Sequence, residues 1–421
     1  MTNQTTLHAT ARQRADRKHH TREIMALLRA GGPKTQAQIA RETGLSKAAV
    51  NHIVQALRDE GAVEYDWKNK REALVTLAST RGSVATLTVR EAEIHGILFD
   101  FTAQSREDVR PSEFTGQDKP QTSPGQVLEV IRHLSDLALS VDSPLRGVAI
   151  SIEGPIERST GAIAPWAWQR LPFWKQVDIQ TYFARHLRTP IVVDNDANFA
   201  ALAEWSWGVG RGSNDFLYIA SSEGIGGGIV INGEIYRGGT GLAGELGHMV
   251  IEEHGNLCFC GSRGCLTSFA TERAILKALS DSGKIKSSML DVIESARQGD
   301  AACQRVLSET GRHLGKALAT IVRVLGPSVI AIGGTLGHAG EVVLDGLRSS
   351  AEIINLKAIG QSPELHIATI LNEATEFGAL AAILSEIELG VSSLAPWMLQ
   401  STIAEEQDPE IDPQAAEISS R

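Results

Sequence analysis

Gly224-Ile225-Gly226-Gly227-Gly228-Ile229-Val230-Ile231-Asn232-Gly233, Gly241-Leu242-Ala243-Gly244-Glu245-Leu246-Gly247-His248 and Cys258-Phe259-Cys260-Gly261-Ser262-Arg263-Gly264-Cys265-Leu266 follow one another closely in this 421-residue chain. His248 with Cys258, Cys260 and Cys265 supplies one imidazole and three thiolates, enough to close a tetrahedral zinc site. Gly261 and Gly264 let the backbone curl so that the three sulfurs converge. Three of the four cysteines fall within eight residues. That spacing favours a structural metal over a disulfide scaffold. The competing reading is a set of buried or reactive thiols with His248 as a bystander. Cys303, inside a helical stretch, reads as a small apolar core residue.

Outward from this stretch the chain alternates between two periodicities. Apolar runs at 83–89, 94–101, 147–152, 190–194, 215–220, 226–231, 328–333 and 365–370 are strand candidates. Helical patterns near 125–140, 174–187, 196–206, 271–281, 300–325 and 375–388 separate them. Such alternation predicts an α/β body with helix-covered sheets. Its length exceeds one ordinary core, so two or three domains are expected. The polar segment from Pro111 to Pro124 reads as a loop, and no short internal repeat is found. No apolar run reaches about 18 residues, which argues against a membrane span. The first residues lack the apolar core of a secretory signal, so a cytoplasmic location is expected.

Residues 1–80 carry 13 Lys+Arg against 8 Asp+Glu, a net +5, whereas the rest carries 27 against 42, a net −15. A basic head on an acidic body directs the head at a polyanion. Its sequence explains how. A short helix with Ile24, Leu27 and Leu28 on one face stops at Gly31-Gly32-Pro33. Thr35-Gln36-Ala37-Gln38 reads as a capping box. Gly44 makes a turn, and Ser46 caps a second helix whose Val50, Ile53, Val54 and Leu57 form one apolar face. Strands near 62–65 and 73–77 flank the basic tip Lys68-Asn69-Lys70-Arg71. This is a winged helix-turn-helix, and an ordinary packing hairpin is the competing reading. Gln36, Ser46, Lys47, Ala48, Asn51 and His52, with Gln55 further along, are the candidate DNA contacts, because the first turns of a recognition helix enter the major groove. Asn and Gln pair with adenine, and Lys reaches guanine or phosphate. Lys68, Lys70 and Arg71 suit phosphate or the minor groove.

The Gly224–Gly233, Gly241–His248 and Cys258–Leu266 runs, with Asp194-Asn195-Asp196-Ala197-Asn198, resemble the signatures of the ROK family of repressors and sugar kinases. The resemblance covers residues 20 to 390, and the winged head places it among the repressors. It implies an actin-like, sugar-kinase-like body of two lobes with a sugar cleft between them. The expected organisation is a flexible basic arm over 1–20, a DNA-binding domain over 21–80, lobe 1 over 81–195 plus 375–395, lobe 2 with the zinc site over 196–374, and a disordered acidic tail over 396–421. Asn195, Asp196, Glu245 and His248 are the candidate sugar ligands. Asn195 and Asp196 follow an apolar strand, at the end where open α/β sheets bind ligands, and carboxylates and amides grip hydroxyls by directed hydrogen bonds. A helix-cap role is the alternative for Glu245. In the family the matching histidine ligates zinc through one ring nitrogen and touches sugar with the other, making the zinc a structural organiser.

Departures from the family pattern bear on activity. Family kinases open the body with an Asp-x-Gly-Gly-Thr phosphate loop, where this chain has Thr88-Val89-Arg90-Glu91-Ala92. Side chains at Arg90 and Glu91 obstruct the close backbone approach that phosphate needs. The second loop, Gly-Thr-Gly in the kinases, reads Ser222-Glu223-Gly224, and its acid repels ATP. No catalytic residue is therefore assigned, although Asp196 occupies the family's catalytic-base position. Thr267 replaces a family Glu that contacts sugar, which alters ligand choice. Trp166, Trp168 and Trp174 fall where family members enter the cleft; they stack on sugar faces or pack the core. The expected function is a non-enzymatic repressor of carbohydrate uptake or catabolism genes, a homodimer or homotetramer on an inverted-repeat operator of double-stranded DNA, released by a sugar or sugar-derivative inducer. The rivals are a DNA-tethered sugar kinase and a regulator controlled by a partner protein.

Overall fold

The computed structural model describes residues 20–399 except 22, 26, 29–31, 60–62, 70–71, 78–81, 111–120, 359, 361, 388, 390 and 392. The expected basic arm over 1–20, apart from His20, falls outside them, as do Lys70, Arg71, most of the Pro111–Pro124 loop and the tail beyond Leu399.

In the head, helices Gln36–Thr43 and Lys47–Asp59 precede the antiparallel strands β1 (Val63–Asn69) and β2 (Glu72–Leu77). The Thr35 hydroxyl accepts from the Gln38 N–H, and the Gln38 side chain accepts from the Thr35 N–H at 2.8 Å, completing the capping box. Gly44 ends the helix at φ +69°, a left-handed conformation that a Cβ disfavours. Ile24, Leu28, Ile39, Val50, Val54 and Val75 close a small core. Backbone hydrogen bonds between Lys34 and Val75 tie β2 to the segment ahead of the helices.

The body contains two five-stranded sheets of the same design. In the first, strands β3 (Ser83–Val89), β4 (Ile94–Asp100) and β5 (Ser105–Val109) form an antiparallel meander, and β6 (Leu145–Ile152) and β7 (Ile191–Asn195) extend it in parallel from β3. In the second, β8 (Phe216–Ser221), β9 (Ile225–Ile231) and β10 (Glu234–Ile235) form the meander, and β11 (Val329–Gly333) and β12 (Glu364–Ile367) extend it in parallel from β8. Every residue of β3 and β4 is buried, as strands covered on both faces require. Val127, Ile131 and Leu134 of helix Pro124–Ser140 cover one face of the first sheet, and Phe377, Leu380 and Ile383 of helix Ala374–Glu386 cover the other. The long helix Ala301–Leu325 contributes Leu307, Leu314 and Leu318 to the core of the second sheet.

Helix Asp196–Trp207 carries Phe199 and Ala203 into the first core and Ala200 and Ala201 into that beneath β8 and β9. Buried Glu204 near its end accepts from the N–H of Val209 at 3.0 Å and from that of Ile370. One carboxylate thus fastens two segments that run between the sheets. Residues 396–399, expected to open the tail, instead form the helical turn Pro396–Leu399. Trp397 meets Phe101 edge-on at 5.3 Å and Met398 is buried, so apolar contact extends order past the expected boundary. Among the described residues no helix is long and apolar enough to cross a membrane.

Candidate functional site

Strands β6 and β7 run in parallel with Ile152 opposite Asn195, so Glu153 and Asp196 emerge side by side at their C-terminal ends. Asn195 caps the helix that follows, its side-chain oxygen accepting from the Asn198 N–H at 2.8 Å. Asp194 organises the turn: its carboxylate accepts from the Asn195 N–H and the Asn198 amide, both at 2.8 Å, and from Arg237 at 2.5 Å. Asp196, first in the helix, accepts from the Ala197 N–H at 2.9 Å. Burial raises its carboxyl, and the charges of Arg90 and Arg170 partly offset that effect.

Glu245 approaches from the second sheet's side. It starts the short helical turn Leu246–His248 but makes no capping hydrogen bond, so the helix-cap role is not the one it plays. Burial, and after it the charge of Asp196, pushes its carboxyl up to about 7. Thr267 turns away from a ligand role, its hydroxyl donating to the Gly247 carbonyl at 2.8 Å. Trp174 is wholly buried, packs on Phe183 and donates from its indole to the Thr122 carbonyl; it is a core residue. Trp168 donates to the Ile163 carbonyl and carries Lys175 over its ring at 4.8 Å. The Trp166 side chain lies outside the described residues.

His248 leads directly into the knuckle. The ligand atoms of His248, Cys258, Cys260 and Cys265 all lie within 4.8 Å of one another, and the group can hold a metal ion. Cys258 Sγ is 3.6 Å from His248 Nδ1, and Cys260 Sγ is 3.7 Å from Cys265 Sγ. Sulfurs about 2.3 Å from a tetrahedral ion stand about 3.8 Å apart, and a disulfide would need about 2 Å. Burial lowers the His248 imidazole, which favours the neutral form that binds metal. Gly264 is compulsory here: at φ +65°, a Cβ would lie 1.5 Å from the Glu252 carbonyl oxygen.

The segment that departs from a phosphate loop is occupied by charge. Arg90 pairs with Glu93 at 3.7 Å, Arg110 with Glu93 at 3.6 Å, and Arg170 reaches Glu153 at 2.6 Å, Glu91 at 3.5 Å and Glu223 at 4.0 Å. Beneath Arg90 lies a cavity of about 190 Å³ lined by Thr88, Arg90, Glu93, His95, Arg110, Glu373 and Glu376. Its floor is a buried network. His95 contacts Asp108 at 3.0 Å and Glu376 at 3.7 Å, and Arg106 bridges Asp108 at 2.6 Å and Glu373. Burial alone would lower the His95 imidazole, but hydrogen bonds with Asp108 and Glu376 push it up to about 9.

On the head, Ser46, Lys47, Ala48, Asn51 and His52 are exposed together at the start of the second helix, and Gln55 is half-buried. Gln36 is partly committed elsewhere, its amide donating to the Tyr65 hydroxyl at 2.7 Å. It thereby joins the first helix to β1. Lys68 lies on β1, its side chain outside the described residues, and Lys70 and Arg71 lie outside them altogether. Trp67, 62% exposed beside Tyr65 on β1, was not singled out from the sequence, nor were Glu153 and Arg170.

Comparison with known proteins places the chain in a family. The ROK family model matches residues 91–386 and that of the winged helix-turn-helix DNA-binding family residues 17–64. A xylose repressor of Bacillus spizizenii is 26% identical over 84% of this chain and 91% of its own length. A glucokinase of Halalkalibacterium halodurans is 34% identical over 56% of this chain and 75% of its own. A crystal structure described as a ROK family transcriptional regulator, homologous to the E. coli MLC protein, superimposes with a TM-score of 0.74 at 21% identity, covering 89% of this chain and 98% of that one. The chain belongs to the ROK family, with a winged helix-turn-helix DNA-binding segment preceding the ROK segment.

Proposed function

We propose that this protein is a sugar-responsive DNA-binding repressor of carbohydrate genes and not an enzyme. The observation that carries the proposal is the union in one chain of an exposed recognition-helix face with a cleft where the half-buried Asp196 and Glu245 stand beside each other. Two adjacent carboxylates drawn partly out of water are costly unless donors arrive, and a polyhydroxylated ligand brings them. The xylose repressor resemblance supports the same reading. The glucokinase resemblance supports the cleft but not the chemistry, because the places of both phosphate loops are taken by Arg90, Glu91 and Glu223.

Residues 21–80 serve as the DNA-binding domain of a homodimer or homotetramer acting in the cytoplasm on an inverted repeat, with Gln36, Ser46, Lys47, Ala48, Asn51 and His52 contacting DNA through the major groove and Lys68, Lys70 and Arg71 contacting phosphates or the minor groove. The lobes are residues 81–195 with 375–395, and 196–374. Asn195, Asp196, Glu245 and His248 bind the sugar. His248, Cys258, Cys260 and Cys265 hold a structural zinc ion, which supplies no reaction step and fixes the His248 ring. Sugar binding favours one arrangement of the lobes and shifts the spacing of paired heads, which needs a coupling of only about 1–3 kcal/mol.

The test combines operator binding with thermal unfolding on the full-length protein. Sugars such as D-xylose, D-glucose and N-acetylglucosamine are screened for one that raises the melting temperature and weakens operator binding. Asp196→Ala should abolish that response and leave sugar-free operator binding intact. Sugar phosphate formed from ATP-Mg by the wild type, and lost in Asp196→Asn, would establish the kinase instead.

A further inference from the structure

Glu153 stands where no family signature places a ligand. It leaves the C-terminal end of β6 directly beside Asp196, because the parallel register sets Ile152 against Asn195. Ligands of open α/β sheets bind at that end of the strands. Its backbone is fixed by the Glu153 N–H donating to the Val89 carbonyl at 3.0 Å. Its two carboxylate oxygens are treated very differently. Oε1 lies 2.6 Å from Nη2 of Arg170, whereas Oε2 is buried with no hydrogen-bond partner.

A buried carboxylate oxygen without a donor costs free energy that a correctly placed hydroxyl recovers. Burial is the main influence raising the Glu153 carboxyl and the charge of Asp196 adds to it, against the charges of Arg170 and Arg90 and the Glu91 backbone N–H, which lower it. Thr267, meanwhile, has its hydroxyl committed to Gly247. Arg170 holds Glu153 from within the turn after Pro165–Gln169 and also reaches Glu223 at 4.0 Å, which follows β8 of the other sheet. Arg170 thus stands between Glu153 and the segment that follows β8.

We propose that Glu153 is a specificity-determining ligand of the cleft, its Oε2 accepting a hydrogen bond from one sugar hydroxyl while Arg170 positions the carboxylate through Oε1. Separation of the walls admits the ligand, and its hydroxyl supplies the missing donor. This inference rests on the sugar-binding reading of the same cleft.

The experiment is calorimetric titration of full-length wild type, Glu153→Gln and Arg170→Gln with D-xylose, D-glucose, N-acetylglucosamine and their monodeoxy analogues. For the sugar that binds, Glu153→Gln should weaken affinity roughly tenfold to a hundredfold. In the wild type, removal of one particular hydroxyl should cost affinity, and in Glu153→Gln that same removal should cost nothing more. Arg170→Gln should reduce the discrimination and Arg170→Lys should partly restore it, a pattern that a merely structural role would not produce. Unchanged operator binding without sugar verifies the fold, and Glu153→Asp repeats the measurement if the amide variant does not fold. Identical deoxy-sugar penalties in wild type and variant would overturn the role of Glu153 with sugar binding itself intact. A wild type that binds operator but none of the sugars would overturn the reading beneath it, and this inference too.

Discussion

On the β6–β7 side of the first sheet Asp196 and Glu153 meet Glu245, with raised carboxyls and an orphaned oxygen. On the β4–β5 side of the same sheet Glu93, Asp108, Glu373 and Glu376 are matched by Arg90, Arg110, Arg106 and His95. The carboxyls of Asp108 and Glu376 are held low by those partners despite burial. The first side is short of donors and the second is saturated. Carboxylates that lack partners are poised for a ligand, whereas those that already have them serve the fold.

The strongest way to break the contrast is to remove the anchor of the ligand side. His248, three residues after Glu245, belongs to the metal group. Cys258→Ser should lose close to one zinc per chain by elemental analysis. It should also lower the melting temperature by on the order of 10 °C, since ligand loss removes metal-coupled folding energy. Full stability with no zinc in either protein would detach the knuckle from the cleft.

A second measurement concerns the saturated side. His95 binds its proton in the folded state up to about pH 9, against an ordinary value of 6.5. The stability this adds is complete below pH 6.5 and disappears as pH rises through about 9. It amounts to at most about 3 kcal/mol. Denaturant midpoints should fall across that window in wild type and stay level in His95→Gln. An equal fall in both would mean that the network carries no folding energy.

Those two sides were unequally legible in the sequence. The strands matched their apolar runs because each is buried by neighbours of its own kind: 83–89 and 94–101 read correctly as β3 and β4. Strand β5 did not, since Ser105-Arg106-Glu107-Asp108-Val109 looks like a solvated loop. Arg106 is buried because Asp108, two positions on, and Glu373, 267 positions away, together neutralise it. Glu153 was invisible for a similar reason: a lone acid after an apolar run acquires meaning when the register of β6 and β7 sets it beside Asp196. The metal group was legible because its donors are close in sequence. Contacts made by chain crossing leave no spacing to read.

A third prediction sharpens the ligand side. With its carboxyl near 7, Glu245 becomes the stronger acceptor of hydroxyl hydrogen bonds as it ionises. Sugar affinity should therefore rise from pH 5.5 to about 7.5, by up to about tenfold per unit below 7, with protons released on binding. The same raised carboxyl costs the sugar-free protein stability as pH climbs from the ordinary 4.5 through about 7. Stabilisation by sugar should consequently be greatest above pH 7. Glu245→Gln should flatten both dependences, and an unaltered affinity profile in that variant would assign the titration elsewhere.

The smallest expected effect lies at the phosphate loops, where steric and electrostatic obstruction can be separated. Arg90→Gly with Glu91→Gly clears the side chains from the first loop but leaves Glu223, which is 86% exposed and 4.0 Å from Arg170. Exposed ion pairs contribute about 0–1 kcal/mol, so Glu223→Gln should scarcely move the melting temperature. Charge acts more strongly on a nucleotide, because several phosphate charges meet the same carboxylate at close range. The double glycine variant should accordingly bind no ATP-Mg and phosphorylate no sugar. Adding Glu223→Thr should give weak ATP-Mg binding that falls with salt, still without measurable turnover. If the two glycines alone restore phosphoryl transfer, the obstruction was steric only. The two sides would then differ in how full they are, and not in what their charges are for.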